Sequence, residues 1–479
     1  MHESPASDVT DSDAQRAQEL FQSSQTFLMR MPDIRVMRMR MAAGAIVLLL
    51  LYALVPLLNI AGKVPDYKVN ILGQYLCYAI VALGVDLIWG YTGLLSLCQA
   101  LFFALGAYAM AMHLSLPEGG GQYKIPQFME FAYYGHGGQL PAFWQPFRHF
   151  GFALFAGIAI PGIFATLFGF LILRSRVRGV YFSIITQALA AATWLLMCRN
   201  EMLLGGTNGL TNFYRPMTAD RRWIISLYLL TLTVLVLAYL FCRSIVKSRL
   251  GRVLVAIRDK ETRLYFAGYK PYAFKVFALA VGGMLAGIGG MLYSPQTGII
   301  TPQQMNVEES ILMVVMVALG GRGRLWGAVC GAILFRAARS SLTSDFSGAW
   351  LLVEGLIAVV VVLFFSDGFS GLWLSMERQI TAGQSVLRAS VTIIPLIAVC
   401  LFLATEALGL TPRFLQVDPA HPQGIAPKYY VLVAILIAVG VFHRLNSKVT
   451  NKRALIASAS SVTANAEPSL EAAGIKGGS

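Results

Sequence analysis

The chain has 479 residues, of which 56% are hydrophobic and only 13% are charged, and its mean hydropathy is +0.63. Soluble globular domains carry about 25% charged residues, so the composition excludes a soluble fold and indicates a polytopic membrane protein. The net charge of +14 comes from basic residues clustered between the apolar stretches. This pattern indicates membrane topology and contact with anionic membrane lipid, and it argues against a nucleic-acid partner.

The apolar stretches predict an all-α protein. A polar leader, residues 1–41, precedes the first apolar stretch. Apolar stretches that we predict as spans lie near 42–60, 70–89, 93–115, 150–173, 179–197, 223–242, 273–293, 308–320, 325–338 and 350–366. A further pair, near 391–409 and 429–443, lies in a C-terminal extension, residues 375–479. We therefore expect about ten transmembrane helices in a body spanning residues 42–374, and about two more after it.

Basic residues between the spans predict the orientation of the chain. Lys and Arg accumulate in cytoplasmic loops. With the N-terminus inside, the basic loop 243–270 and the Arg322/Arg324 turn both fall on the cytoplasmic side. The predicted outer loops, 116–149 and 198–222, carry fewer bases for their length. We therefore expect both termini to be cytoplasmic.

Two of the predicted spans are short for a bilayer crossing. Residues 308–320 and 325–338 are separated by Gly320-Gly321-Arg322-Gly323-Arg324, whereas a crossing needs about 20 residues. We expect tilted, broken or re-entrant helices here, since irregular backbone is tolerated at depth where protein covers it. Gly283 and Gly287 are four residues apart in another span, so they share a helix face and allow close helix packing.

The loop 243–270 contains a predicted amphipathic helix at 256–268. Its residues favour helix, and Gly268 suits the C-terminal stop. Its apolar members, Leu254, Ile257, Leu264 and Phe266, can rest on the bilayer interface or in a groove of a partner protein. The sequence alone leaves these two alternatives open.

Intramembrane polar residues are the candidates for a solute path. Asp86 lies near the end of a span, and Glu354 lies early in another. Gln99 and Gln187 are neutral donors and acceptors of the kind that a small amide needs, although an interhelical hydrogen bond explains them too. Thr207 and Asn208 lie in a Gly-rich turn at the outer end of a span, and they complete the candidate path.

No enzyme signature is present. The six cysteines are scattered with no C-x-x-C pair, so the sequence predicts neither a disulfide framework nor a metal site. It contains no P-loop motif and no pattern of catalytic residues. We expect a non-enzymatic chain with no metal and no cofactor of its own.

Several motifs resemble the permeases of ABC importers, in the branched-chain amino acid (LivM-like) family. The resemblance covers about residues 42–374. Its motifs are Gly90-Tyr91-Thr92-Gly93-Leu94, Phe102-Phe103-Ala104-Leu105-Gly106, Ala256-Ile257-Arg258-Asp259 with Glu261 and Gly268-Tyr269, Gly287-Ile288-Gly289-Gly290, and Ala318-Leu319-Gly320-Gly321-Arg322-Gly323. Within the family, the stretches 168–189, 199–211 and 294–299 look most like the urea permeases of the UrtC type.

The resemblance implies a transport mechanism and a set of partners. The helix in loop 243–270 would be the coupling helix, with Arg258, Asp259, Glu261, Arg263 and Gly268 coupling the chain to an ATPase. The implied partners are a second permease subunit, two cytosolic ATP-binding cassette ATPases and a periplasmic solute-binding protein, in a bacterial inner membrane. Gln99-Ala100 departs from the family's usual run at that position, and residues 375–479 match nothing in it.

The resemblance to the UrtC type predicts urea as the solute. Branched-chain amino acids are the alternative within the family, and their carboxylate and ammonium groups would require paired charges or a broken-helix N-terminus along the path. A secondary transporter is the alternative from another class, favoured by a count near twelve spans, but it leaves the coupling loop without a role.

Overall fold

The computed structural model describes residues 50–345, except 122–125, 127–128, 130–139, 176, 178 and 212–219, together with residues 355, 368, 370 and 371. This part of the chain is helical, with one isolated antiparallel bridge between Leu210 and Ile300. The predicted leader, the two spans after residue 375 and the C-terminal extension lie outside the described residues, as do residue 354 and almost all of the span near 350–366.

Residues up to Lys63 form a compact unit of their own. Its described part is a π-helical segment, Leu50–Leu54, that runs directly into α1, Val55–Ile60. Pro56 sits in the first turn of α1, where it has no amide hydrogen to donate back to the preceding segment. The other compact unit begins at Val64.

The unit from Val64 onward contains nine described α-helices. In chain order they are α2 (Asp66–Val85, continued by a π-helical segment Asp86–Gly90), α3 (Gln99–Leu114), α4 (Phe150–Arg174), α5 (Val180–Met197), α6 (Arg221–Lys247), α7 (Arg249–Phe266), α8 (Pro271–Thr297), α9 (Val307–Gly320) and α10 (Leu325–Asp345). The predicted spans near 70–89, 150–173, 179–197, 223–242 and 273–293 are confirmed as helices.

Five described helices are long and apolar enough to cross a membrane, or six if the bent α9–α10 pair is counted as one span. They confirm the predicted all-α polytopic membrane fold. The predicted count of about ten is higher because it included α3, which is a short apolar helix, and counted α9 and α10 separately. It also included residues outside the described part, among them 42–49 of the first predicted span.

Helix α8 is the centre of the unit, with its most extensive contacts to α3, α4 and α2. Small residues make this packing possible. A Cβ on Gly283 would lie 2.7 Å from Ala165 Cβ, and one on Gly287 would overlap the backbone oxygen of Gly157. The predicted close approach at Gly283 and Gly287 is therefore confirmed, and its partner is α4.

Helix α3 begins six residues later than the predicted span 93–115. The preceding segment, Gly93–Cys98, is not helical. Gly93 has a φ of +76°, which favours glycine and ends the helical path of the chain. Periodicity could not reveal this break, because Leu94, Leu95 and Leu97 continue the apolar run through it.

Helices α9 and α10 form a sharply bent pair. The two axes meet at 119° across the break between Gly320 and Leu325. The prediction of a broken or re-entrant element is confirmed. Gly321 and Gly323 have φ values of +104° and +77°, so two left-handed residues allow the turn.

Replacing Gly290 by Ala tests the close packing of α3 on α8. A Cβ at this position would overlap the backbone oxygen of Phe103, and a backbone group cannot rotate away. We expect Gly290→Ala to lower the thermal unfolding midpoint of the detergent-purified protein, with a cost of about 1–3 kcal/mol.

Gly151→Ala is the matched control. A Cβ on Gly151 meets nothing within 4 Å, and Ala favours helix over Gly, so its midpoint should stay equal or rise slightly. Equal midpoints for the two variants would contradict the packing described.

Candidate functional site

Helix α7 is delimited by local hydrogen bonds at both ends. The Ser248 side chain accepts a hydrogen bond from the Gly251 amide and caps the first turn. At the other end the Tyr269 amide donates to Leu264 O and the Gly268 amide donates to Tyr265 O, which is a Schellman motif. Gly268 has a φ of +80°, so the predicted stop is confirmed.

Two features of α7 differ from the predicted helix 256–268. The helix begins at Arg249, separated from the end of α6 by Ser248 alone, and Lys260 is non-helical with φ −149° and ψ 75°. The element is therefore a longer helix with a kink. The Ser248 cap explains the early start, because a serine before a helical run satisfies the first free amides.

The apolar residues of α7 divide into an anchoring group and an exposed one. Leu254 and Ile257 are buried within this chain, while Phe266 is 93% exposed. The part of α7 before the kink is thus fixed to the bundle. The end of the helix presents an aromatic side chain outward, where a membrane surface or a partner protein can contact it.

Arg258 joins α7 to the end of α2. Its Nη1 donates a hydrogen bond of 2.8 Å to the backbone oxygen of Gly90, and its Nε lies 3.0 Å from Asp259 Oδ1. A Cβ on Gly93 would lie 3.1 Å from Arg258 Cγ. Glycine at this position therefore leaves room for the arginine stem to reach the membrane helix.

Asp86 joins the same end of α2 to the turn between α9 and α10. Its Oδ1 accepts a hydrogen bond of 2.7 Å from the Gly323 amide, and its side chain is fully buried. A Cβ on Gly90 would overlap Asp86 Oδ1 and approach Gly323 N. The Arg322 guanidinium lies 5.3 Å from the Trp89 ring centroid, which adds a cation–π contact.

We call this set of contacts the junction: Asp86, Gly90, Gly93, Arg258 and Gly323. Three motifs far apart in the sequence contribute to it: the Gly-Tyr-Thr-Gly run after α2, the Ala-Ile-Arg-Asp run of α7 and the Gly-Gly-Arg-Gly run after α9. They meet at one end of the bundle. Helix α7 therefore contacts the end of α2, and the end of α2 contacts the α9–α10 turn.

A second connection ties the far part of α7 to the central helix. Glu261 Oε1 and Lys275 Nζ, on α8, are 2.7 Å apart. Lys275 is 5% exposed, so the pair is shielded from solvent and costly to break. The two connections of α7 flank the kink at Lys260, because Arg258 lies before it and Glu261 lies after it.

The five predicted coupling residues therefore lie in different environments. Arg258 and Glu261 contact the body of this chain, Asp259 pairs with Arg258 on the surface, and Arg263 and Gly268 are exposed. An ATPase can reach Asp259, Arg263 and Gly268 directly. The coupling role of all five residues stays a prediction.

The candidate solute path contains a buried break in the helical structure. The segment before Gln99 is held by α5, because Ser183 Oγ donates to Leu95 O (2.8 Å) and the Leu97 amide donates to Thr186 Oγ1 (3.1 Å). Gln99 itself is fully buried. Among the described residues, neither its Nε2 nor its Oε1 has a hydrogen-bond partner, and such groups are rare in folded proteins.

The other predicted path residues are divided between two places. Gln187 follows Thr186 on α5 and is half-buried, near the break. Thr207 and Asn208 are exposed in a 3₁₀ turn, Gly206–Asn208. That turn lies beside the Leu210–Ile300 bridge, beyond the end of α8 that is far from α7, so the structure does not bring Thr207 and Asn208 together with the glutamines.

Sequence reasoning missed one ionic group inside the helices. It consists of Glu309 on α9 with Arg336 and Arg339 on α10, and Arg339 Nη1 lies 2.8 Å from Glu309 Oε1. Arginines inside the otherwise apolar run after Leu325 were the available signal. Among the described residues no group of three His, Cys, Asp or Glu side chains could hold a metal ion.

Comparison with known proteins gives a consistent family. A family model described as branched-chain amino acid transport system / permease component matches residues 67–366. The chain is 26% identical over 346 residues to the high-affinity branched-chain amino acid transport system permease protein LivM of Salmonella typhimurium, covering 66% of this chain and 73% of that protein.

Two further relatives extend this comparison. The LivM protein of Escherichia coli is 26% identical over 327 residues, covering 63% of this chain and 69% of the relative. The autoinducer 2 import system permease protein LsrC of Yersinia enterocolitica is 25% identical over 250 residues, with coverages of 48% and 66%. No solved structure matches the chain.

Exchanging the charges of Glu261 and Lys275 tests the second connection of α7. We expect Glu261→Lys or Lys275→Glu alone to place like charges together and to speed amide hydrogen exchange of residues 261–268 by at least about tenfold, since breaking a shielded pair costs several kcal/mol. The double variant restores opposite charges and should bring exchange back toward the wild-type rate.

The control is Arg221→Glu, which breaks an exposed pair with Asp66 and should leave exchange of residues 261–268 unchanged. Exchange in the Glu261/Lys275 double variant as fast as in the single variants would show that this pair does not hold α7.

Proposed function

Because the chain belongs to the family of branched-chain amino acid transport permeases, we propose that it forms the membrane path through which an ATP-driven importer moves branched-chain amino acids. Members of this family are permease subunits of ABC importers, so the chain is a transport subunit rather than an enzyme. ATPase subunits and a substrate-binding protein are its partners in such an importer.

The junction is the observation that carries the mechanism. Helix α7 is anchored by Leu254 and Ile257 and leaves Arg263 and Phe266 exposed. This arrangement fits a coupling helix whose outer surface docks on an ATPase. Closure of the ATPases would displace α7, and the Arg258 and Asp86 hydrogen bonds would pass the displacement to α2 and the α9–α10 turn.

The relatives support branched-chain amino acids as the solute. The LivM proteins are named for these solutes. The urea prediction rested on resemblance to the UrtC type, and none of the relatives described above is named for urea. Urea is uncharged, whereas an amino acid is a zwitterion at neutral pH, so the two solutes make different demands on the path.

The partners and the orientation belong to the same proposal. The basic residues around α7 favour a cytoplasmic position for that end of the bundle in a bacterial inner membrane. Both termini would then be cytoplasmic. Helices α4, α5 and α6 expose large apolar side chains, such as Phe155, Tyr181 and Leu237, which fit lipid or a second, non-identical permease subunit.

Uptake by the reconstituted importer tests the solute and the energy source together. The chain is incorporated into proteoliposomes with the second permease subunit, the two ATPases and the binding protein. We expect accumulation of radiolabelled leucine that requires ATP, and no accumulation by the purified chain alone under a proton or sodium gradient. Arg263→Glu should reduce uptake several-fold, because the exposed charge faces the ATPase.

The control is Arg222→Glu, an exposed arginine at the first turn of α6, away from α7, which should leave uptake unchanged. If the importer accumulated urea but not leucine in the presence of ATP, the proposed solute would be wrong. Accumulation driven by an ion gradient with the chain alone would contradict the proposed coupling to ATPases.

A further inference from the structure

A groove opens on the side of the bundle between α4 and α8. Its volume is about 650 Å³, and nine residues line it, eight of them on α4 and one, Met284, on α8. Several of the lining side chains are exposed: Phe155 by 67%, Ile163 by 65% and Leu167 by 58%. The groove is therefore open to the surroundings of the bundle, and a ligand can reach it without unpacking the core.

Small residues on α4 give the groove its depth. Gly162 lies where α4 meets α8, and a Cβ at this position would lie 2.8 Å from Met284 Cγ. Ala159 lines the groove three residues earlier, on the same face of the helix. A larger side chain at position 159 would therefore occupy part of the groove.

The lining of the groove offers little hydrogen bonding. Thr166 is its only hydroxyl-bearing residue, and Thr166 Oγ1 donates to Gly162 O within the helix, at 2.6 Å. The Met284 thioether is only a weak acceptor. The part of a ligand that enters the groove must therefore be hydrocarbon.

The length of the groove suits a lipid acyl chain. Its lining residues run from Phe155 to Phe170 along α4, which corresponds to about 22 Å of helix. Each leaflet of a bilayer contributes about 15 Å to the hydrocarbon core. One acyl chain of one leaflet can therefore lie along the groove.

A second protein helix is a poorer occupant of the groove. Transmembrane helices pack closely where small residues face outward. Here Gly162 is next to Met284, and the side chains that face outward, such as Phe155 and Leu167, are bulky. A slender, flexible chain fits between such side chains better than a helix does.

A cation lies just beyond one end of the groove. Arg174 is the last residue of α4, one turn after Phe170, and its guanidinium lies 5.3 Å from the Phe170 ring centroid. Arg174 is exposed, and within the described part of the chain no Asp or Glu forms an ion pair with it. In the sequence two more arginines follow, at 176 and 178. The charge at this end of the groove is complementary to a phosphate.

The packing of α4 on α8 places Arg174 at the α7 end of the bundle. The two helices are antiparallel, because a Cβ on Gly157 would overlap Met291, whereas one on Gly169 would lie 2.8 Å from Leu279. Arg174 is therefore near the start of α8, which follows α7 in the chain. This basic end is the one proposed above to be cytoplasmic, and the cytoplasmic leaflet is the one with a negative lipid surface.

From the groove and the arginine at its end, we propose that α4 and α8 bind an anionic phospholipid of the cytoplasmic leaflet. One acyl chain lies in the groove against Met284, and the phosphate pairs with Arg174. The stem of Arg174 lies along Phe170 and keeps the guanidinium at the interface. The lipid covers the contact between α4 and the central helix. This inference goes beyond the proposed function and does not depend on the identity of the solute.

Lipid binding by the full chain tests the proposal. Native mass spectrometry is applied to the detergent-purified chain, alone and together with its second permease subunit. The probes are dioleoylphosphatidylglycerol, which is anionic, and dioleoylphosphatidylcholine, which has the same acyl chains and no net charge. We expect one saturable site for the anionic lipid in both samples, and an affinity about fivefold lower for the neutral lipid, because one arginine near the surface contributes about that factor.

Two variants separate the headgroup from the acyl chain. Arg174→Gln should weaken binding of the anionic lipid about fivefold and leave the neutral lipid unchanged, so that the preference disappears. Ala159→Phe should weaken binding of both lipids, because the added ring occupies the groove.

Each variant has a matched control. Lys247→Gln removes another exposed cation at the α7 end of the bundle, in the last turn of α6. Leu230→Phe adds a ring at an exposed position of α6. Both control variants should keep wild-type affinity at the saturable site.

Three results would overturn the proposal. Equal affinities of the wild type for the two lipids, or a loss in Lys247→Gln as large as in Arg174→Gln, would show that the groove does not select an anionic headgroup. Wild-type binding of both lipids by Ala159→Phe would show that the acyl chain lies elsewhere. Binding that is lost when the second permease subunit is present would make the groove a subunit interface.

Discussion

The hydrogen bond from Arg258 to the Gly90 carbonyl, 2.8 Å long, is the contact on which the mechanical organisation of this chain depends. It crosses from α7 to the end of α2. There the buried carboxylate of Asp86 accepts from the Gly323 amide. A helix that lies outside the bundle is thereby connected to three membrane helices through backbone groups, which cannot rotate away as side chains can. A Cβ at position 90 would overlap Asp86 Oδ1, and Gly93 combines a φ of +76° with a Cβ position 3.1 Å from Arg258 Cγ, so both positions favour glycine.

The bent pair α9–α10 extends from the junction toward the other end of the bundle. Its turn lies in the junction, while its arms carry Glu309 and Arg336 toward the other end of the bundle. The central helix α8 joins the same two regions, since Lys275 near its start pairs with Glu261 and Tyr293 near its end packs against Tyr78 and Phe103. Two helical routes therefore lead from α7 to the ionic group of Glu309, Arg336 and Arg339. Packed helices of this kind have discrete arrangements rather than continuous flexibility, which suits alternating access.

The sequence predicted the elements whose signals are local. Long apolar runs located the spans, and Gly268 located the end of α7. The break at Gly93–Cys98 was missed because leucines continue through it, and only contacts from Ser183 and Thr186 make it stable. The ionic group of Glu309, Arg336 and Arg339 was missed for a related reason: Glu309 lies 27 residues from Arg336, and one-dimensional patterns do not reveal which charges meet. The bond from Arg258 to Gly90 was missed as well, because it spans 168 residues.

The most direct test of whether α7 moves together with the junction is to measure two spin-label distances in the assembled importer, with and without ATP. One pair joins Thr262→Cys on α7 to Arg322→Cys in the α9–α10 turn, and the other joins Thr262→Cys to Thr207→Cys at the opposite end of the bundle, with exposed native cysteines replaced. If α7 moves with the junction, the first distance stays constant and the second changes by several ångströms when ATP binds. A first distance that changes as much as the second would show that α7 moves independently of the membrane helices.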